Sequence, residues 1–234
     1  MLYYLVKFIK LCFGSPGKML KHYRSLVEEW NDDQRSRQVN DVVFVTCEGI
    51  KSCWGPHQDL GYKCDAAYCF NNHVSRIIQH IDSAVYSIDL AIYAMSSDPI
   101  GKALHRASER GVRIRVLSER NFVRLMGTHA RYMLIRKIPP PRIPTGREMM
   151  MHHKFCIIDG YQSQKELNPT NSDPKLSVYM SGSLNWVSHA KSCDDLLISS
   201  SPKVSKRLEQ EFNRIWKGLG ILPGQHPNIY NYKS

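Results

Sequence analysis

No acidic residue occurs before Glu28, no clear secretory signal precedes the cysteines, and there is no internal repeat. The seven cysteines are an odd number. With no secretory signal, this argues against a complete disulfide framework and makes metal ligation the better default. Apolar runs are short. Met1–Phe13 is apolar except for Lys7 and Lys10, whereas a membrane-spanning helix needs about 20 apolar residues. A lysine at the bilayer centre costs about 2.5–3.5 kcal/mol. This start, with Lys18, Lys21 and Arg24 following, suits a mitochondrial-type signal anchor or an interfacial helix, or else a docked helix of a soluble protein. Acid is also scarce from Lys102 to Lys154, where thirteen Lys and Arg face Glu109, Glu119 and Glu148 alone. That segment is +10 of a net +11. A solvated basic face is the plain reading of such a run. Because it leads into residue 152, a path for phosphates, on a nucleic acid or a membrane surface, is the reading favoured here.

What is present is ample for folding. A chain of 234 residues, 42% hydrophobic, can bury one sizeable core or two small ones. Residues 1–30 read as a basic, apolar anchor or targeting segment, 31–40 as a polar linker and 41–234 as one domain. Within that domain, strands are expected at Val42–Val45, Val85–Tyr93, Val112–Leu117, His152–Ile158, Leu176–Ser181 and Asp195–Ser199. Helices are expected at Val74–Ser83, from Ser97-Asp98-Pro99 to the C-cap Gly111, at Phe122–Lys137 and at Val204–Leu219. The last carries Leu208, Phe212, Ile215 and Leu219 on one face. Pro139-Pro140-Pro141 breaks the chain. Tyr161–Lys175 is polar and reads as a mobile surface insertion. Alternating strands and helices make the fold class α/β.

Residues 152–159 read His-His-Lys-Phe-Cys-Ile-Ile-Asp and 182–185 read Gly-Ser-Leu-Asn, giving H-x-K-x4-D and then G-S-x-N, once each. On a strand, residues i and i+2 share a face, so His152 and Lys154 point together and His153 points away. A neutral imidazole can attack a phosphodiester, while the ammonium can hold a non-bridging oxygen and stabilise developing charge. Asp159 falls on the opposite face at the strand end and suits a structural role. Gly182-Ser183 offers a tight turn and a hydroxyl, and Asn185 an amide donor. Asp194 or Asp195 could accept the second imidazole N–H. A bare H-x-K is commonplace; His189-Ala190-Lys191 is one such case and lacks the Asp spacing and the G-S-x-N.

On these residues the chain resembles the phospholipase D superfamily, within it the single-motif mitochondrial phospholipase D/Zucchini group. The resemblance covers most of residues 40–218, including Val85–Leu117, Met151–Phe155, Gly182–Trp186 and the closing helix. It implies a phospholipase D-type mixed sheet flanked by helices, and a homodimer whose two motifs meet at a two-fold axis. One His152 would form a phosphohistidine, the other would protonate the leaving oxygen, and no catalytic metal would be needed. It also implies the mitochondrial outer membrane, facing the cytosol. Two departures stand out. Twenty-two residues separate Asp159 from Gly182, more than is usual in the group, and Asp194 stands where the group often has Glu.

Cys47, Cys64, Cys69 and His73 are spaced C-x16-C-x4-C-x3-H. Three thiolates and one imidazole match a tetrahedral structural zinc site, and the resembled group has a similar element, so a small zinc-binding insertion at 47–73 is expected. Cys53 is a competing ligand; buried free thiols are the plain alternative. Cys12, Cys156 and Cys193 read as structural.

Three functions remain open. The resemblance implies a metal-independent endonuclease for single-stranded RNA, acting in small-RNA (piRNA) maturation, which the basic run supports. The same His and Lys would serve a lipid phosphodiesterase cleaving cardiolipin to phosphatidic acid on a mitochondrial surface. A binding module without catalysis is the third, and retention of His152, Lys154 and Asn185 speaks against it.

Overall fold

The computed structural model describes residues 16–36, 39–46, 49, 64, 66, 69–119, 141–143, 150–170, 172–188 and 192–218. The segment 1–13, the helix expected at 122–137, Pro139-Pro140, Cys12, Cys47, Cys53 and Leu219 lie outside the described residues. Eleven elements follow in order: α1 (Pro16–Ser36), β1 (Asn40–Val45), α2 (Phe70–Ser83), β2 (Ser87–Ile92), α3 (Asp98–Glu109), β3 (Arg113–Ser118), β4 (Lys154–Ile158), α4 (Tyr161–Leu167), β5 (Val178–Gly182), β6 (Asp194–Ser199) and α5 (Pro202–Gly218).

The six strands form one mixed sheet in the order β1-β6-β5-β4-β2-β3. β2 and β3 are parallel, joined through α3, and the other pairs are antiparallel. Every residue of β2 is buried, as expected of a central strand covered on both faces. One face carries Ile88, Leu90, Ile92, Ile114, Val116, Cys156 and Ile158, packed with Val74, Ile77 and Ile81 of α2 and Ile100, Leu104 and Ala107 of α3. The other carries Ala91, Leu117, Phe155, Ile157 and Tyr179 against Phe212 of α5. On that second face Asp89 and Arg115 pair through two bonds of 2.7 Å. Ser163 donates to the same carboxylate at 3.2 Å, and the guanidinium lies 4.9 Å from the Phe212 ring centroid.

Several boundaries differ from the sequence expectation. The polar stretch 31–40 is not a linker: residues 31–36 continue α1 and Asn40 opens β1. Nor is Tyr161–Lys175 a loose insertion. Residues 161–167 form α4, with Ser163 and Gln164 buried. Its periodicity is weak, and the helix is held from outside. The Glu209 carboxylate of α5 accepts the Gln162 and Ser163 N–H groups at 2.9 Å each, answering donors that a helix start leaves open. Gln164 then ties the stretch after the helix, donating to the Asp159 and Lys175 carbonyl oxygens and accepting from the Lys175 N–H. Ser97 occupies the N-cap of α3 but makes no side-chain cap bond. Gly111 follows the helix with φ +85, the left-handed conformation that glycine adopts without steric cost. Cys156 is fully buried, as its strand demands, but Cys193 is exposed rather than structural.

Candidate active site

The start of β4, the end of β5 and the start of β6 meet at one end of the sheet. Regular pairing in β4 begins at Lys154, opposite Ile92, so His152 and His153 precede the strand proper. The Tyr93 N–H still donates to the His153 carbonyl oxygen at 3.0 Å, and this carries the ladder one step further. Glu119 holds the segment from the other side, accepting the Met151 N–H at 2.7 Å.

His152 and Lys154 come together. Lys154 Nζ lies 3.2 Å from His152 Nδ1 and 3.3 Å from Nε2, and donates to the His152 carbonyl oxygen at 3.1 Å. Burial lowers the Lys154 pKa below that of an ordinary lysine, and the charge of Asp194 pulls it back up. His153 points to the opposite side, its Nε2 3.7 Å from Glu211 on α5 and its ring edge-on to Phe155.

Asp159 stands at the far end of β4 from His152. Its backbone takes φ 50, and its carboxylate accepts the N–H groups of Val85 at 3.0 Å, Tyr86 at 2.7 Å and Ser87 at 2.9 Å. Desolvation raises its pKa despite those three bonds. Asp159 thus fixes the entry of β2 beside β4 and does not face the imidazole.

Gly182 is required by close approach rather than by a turn. A Cβ there would run into the Asp195 carbonyl oxygen and the Leu196 Cα, both backbone atoms. Ser183 and Asp195 engage each other: Ser183 Oγ donates to Asp195 Oδ1 and accepts the Asp195 N–H, both at 3.0 Å. Among the described residues, Asn185 Oδ1 is buried without a hydrogen-bond partner. Asp194 accepts from Ser192 Oγ at 2.6 Å and acts on Lys154 electrostatically. Neither it nor Asp195 bonds to His152 among the described residues, so the expected imidazole–carboxylate contact is not made within this chain. Tyr93, which the sequence reading places merely at a strand end, touches both reactive groups. Its partnership with β4 follows from strand order, which no local motif records.

Of the four expected zinc ligands, Cys64, Cys69 and His73 are described. Cys69 is the N-cap of α2 and His73 lies one turn on. The Cys69 thiol is buried and forms no disulfide. His73 is buried, and among the described residues neither ring nitrogen has a partner in hydrogen-bonding geometry, although the Phe44 main chain is near enough to raise its pKa against the lowering by burial. Two orphaned imidazole nitrogens beside a buried thiol fit a metal ligand. Among the described residues no group of three potential ligands is assembled; Cys47 lies outside them.

A sheet end presenting one imidazole, one ammonium and the polar G-S-x-N segment carries the groups that phosphodiester cleavage calls for. The family model described as "Cardiolipin synthase, PLD-like domain" matches residues 77–216, and the chain belongs to the phospholipase D superfamily, in its mitochondrial cardiolipin hydrolase-like group; it is a phosphodiesterase of that superfamily. It is 34% identical over 205 residues to a mitochondrial cardiolipin hydrolase of Drosophila melanogaster, covering 82% of this chain and 80% of that one. To the Homo sapiens protein of the same name it is 30% identical over 202 residues, covering 82% and 72%. Among solved structures it resembles in fold the phospholipase D family member Nuc from Salmonella typhimurium. The TM-score there is 0.52 at 18% identity, covering 77% of this chain and 95% of that one.

Proposed function

We propose that the protein hydrolyses cardiolipin at a mitochondrial surface, with His152 as the nucleophile. The observation that carries the chemistry is the contact of Lys154 with His152 at the open end of the sheet; the relatives' printed names supply the lipid. A His152 ring nitrogen attacks phosphorus and forms a P–N bond. The P–O bond to the central glycerol breaks, and that oxygen takes a proton from a second imidazole and leaves as phosphatidylglycerol. Water then gives a proton back to that imidazole and attacks phosphorus, breaking the P–N bond and releasing phosphatidic acid. Lys154 binds a non-bridging oxygen throughout.

With one motif per chain, the second imidazole is that of a second copy in a homodimer. Exposed Val42, Phe44 and Leu197 lie together on β1 and β6, next to Asp195, and offer an apolar face for that copy. A structural zinc on Cys47, Cys64, Cys69 and His73 is proposed on the orphaned His73 nitrogens; it would crosslink the start of α2 to the preceding segment and takes no part in the chemistry. Among the described residues no helix is long and apolar enough to cross a membrane, and an outer-membrane, cytosol-facing anchor is proposed for the residues before α1.

A second reading, a single-stranded RNA endonuclease serving piRNA maturation, is favoured by α5. There Lys203, Arg207, Arg214 and Lys217 are exposed at helical spacing, a row suited to backbone phosphates. The test offers cardiolipin vesicles and end-labelled single-stranded RNA to wild type and His152→Ala, in EDTA. Phosphatidic acid released by wild type alone supports the lipid reading. RNA cut by wild type alone, with lipid intact, replaces it.

A further inference from the structure

Tyr93 stands one residue past the end of β2, and its N–H bond to the His153 carbonyl oxygen at 3.0 Å fixes it against the segment that carries the reactive groups. Its ring meets the His152 imidazole edge-on, with centroids 4.8 Å apart and planes at 61°. The same ring lies under the Lys154 ammonium, with Nζ 5.5 Å from its centroid. An edge-to-face ring pair and a cation over a ring are both favourable, and both come from the negative face and positive edge of an aromatic. His152 needs such support. It is exposed and precedes the regular part of β4, and among the described residues its hydrogen-bonding side-chain neighbour, Lys154, rides on a long flexible stem.

We propose that Tyr93 is the positioning residue of the nucleophile: its ring is the wall that holds the His152 imidazole and the Lys154 ammonium in one arrangement facing the phosphorus. This rests on the assignment of His152 as nucleophile. Both contacts are made by the ring, which phenylalanine keeps. Leucine fills much of the volume without the charge pattern, and alanine leaves the imidazole free to rotate. Misplacing a reactive group by about 1 Å costs on the order of 100-fold in rate.

The experiment uses the full chain and the soluble phosphodiester bis(p-nitrophenyl) phosphate, so that it does not depend on the natural substrate. Wild type, His152→Ala, Tyr93→Phe, Tyr93→Leu and Tyr93→Ala are compared in kcat and KM separately, with a thermal melt of each. His152→Ala abolishes turnover. Tyr93→Phe keeps kcat within about twofold, while Tyr93→Leu and Tyr93→Ala lose about 10- to 100-fold in kcat with KM little changed. A wild-type kcat in Tyr93→Leu overturns the proposal. So does a loss confined to KM, which makes Tyr93 a substrate contact, or a Tyr93→Phe as impaired as Tyr93→Ala, which assigns the role to the hydroxyl. If Tyr93→Ala does not fold, the Phe and Leu variants decide between these outcomes. Wild-type turnover in His152→Ala instead removes the nucleophile assignment itself, and the proposal falls with it whatever the Tyr93 variants show.

Discussion

Lys154 Nζ is almost equidistant from the two ring nitrogens of His152, at 3.2 and 3.3 Å. An ammonium so placed lies over the imidazole instead of in line with one nitrogen. It leaves the ring edge open to an approaching phosphorus while keeping the cation within reach of that phosphorus's oxygens.

The pH dependence follows from this pair. In the proposed mechanism Lys154 acts as a charged group, and burial lowers its pKa while Asp194 raises it. The ammonium is therefore lost at a lower pH than that of a solvated lysine, and kcat falls on the alkaline side correspondingly early. Asp194→Asn removes the raising influence, so the alkaline limb moves to still lower pH. Lys154→Arg, whose charge persists, has reduced activity with that limb removed. A kcat profile from neutral to alkaline pH for the three proteins checks all of this, and an unmoved limb in Asp194→Asn contradicts it.

Asp159→Asn tests the anchor at the other end of β4. Asparagine tolerates φ 50 nearly as well as aspartate, so the change isolates the carboxylate. Tyr86 and Ser87 donate to one carboxylate oxygen and Val85 to the other, so the amide nitrogen that replaces either oxygen faces an N–H donor. The expected loss is about 2–3 kcal/mol, seen as a thermal midpoint lower by about 5–10 °C, with KM for bis(p-nitrophenyl) phosphate little changed.

Gly182→Ala is expected to be severe in a different way. The atoms its Cβ would strike belong to the β6 backbone and cannot rotate aside, so β5 and β6 must separate where Ser183 and Asp195 are joined. Turnover should fall more than the melting temperature suggests, because Asn185 and Asp194 move with those strands. Activity and melting measured side by side check this, and a variant with both unchanged refutes it.

Zinc is checked by elemental analysis of the purified full chain. One zinc per chain is expected, lost in His73→Ala and Cys69→Ser, with α2 melting earlier in both. The His152 site should react with bis(p-nitrophenyl) phosphate while the metal is retained in EDTA. A wild-type chain free of zinc at full stability sinks the proposal.

The strands were legible because burial on one or both faces of a sheet writes a period-two or continuous apolar pattern into the chain. The same period placed Lys154 beside His152 and turned His153 toward α5. What stayed hidden depends on partners distant in sequence. α4 is secured by Glu209, more than forty positions after its start, so its own residues look like a loop. The end of α1 is polar enough to read as a linker. Asp194 or Asp195 was expected at the imidazole, yet Asp195 engages Ser183, and Asp194 lies opposite Val45 on β6, its charge felt by Lys154. Tyr93 reaches His152 through the adjacency of β2 and β4, strands separated in the chain by α3 and β3.

The pairing of β1 with β6, from Asn40 with Ser199 to Val45 with Asp194, also bears on how the protein is made. On a ribosome the first strand emerges long before its neighbour, and His152 and Lys154 are exposed before β5 and β6 exist to flank them. Contacts this distant in sequence form slowly and late. Asn185, Asp194 and the Glu209 clamp on α4 all follow the imidazole in the chain. A nascent chain that stops short of β6 therefore carries His152 without the surroundings that direct it.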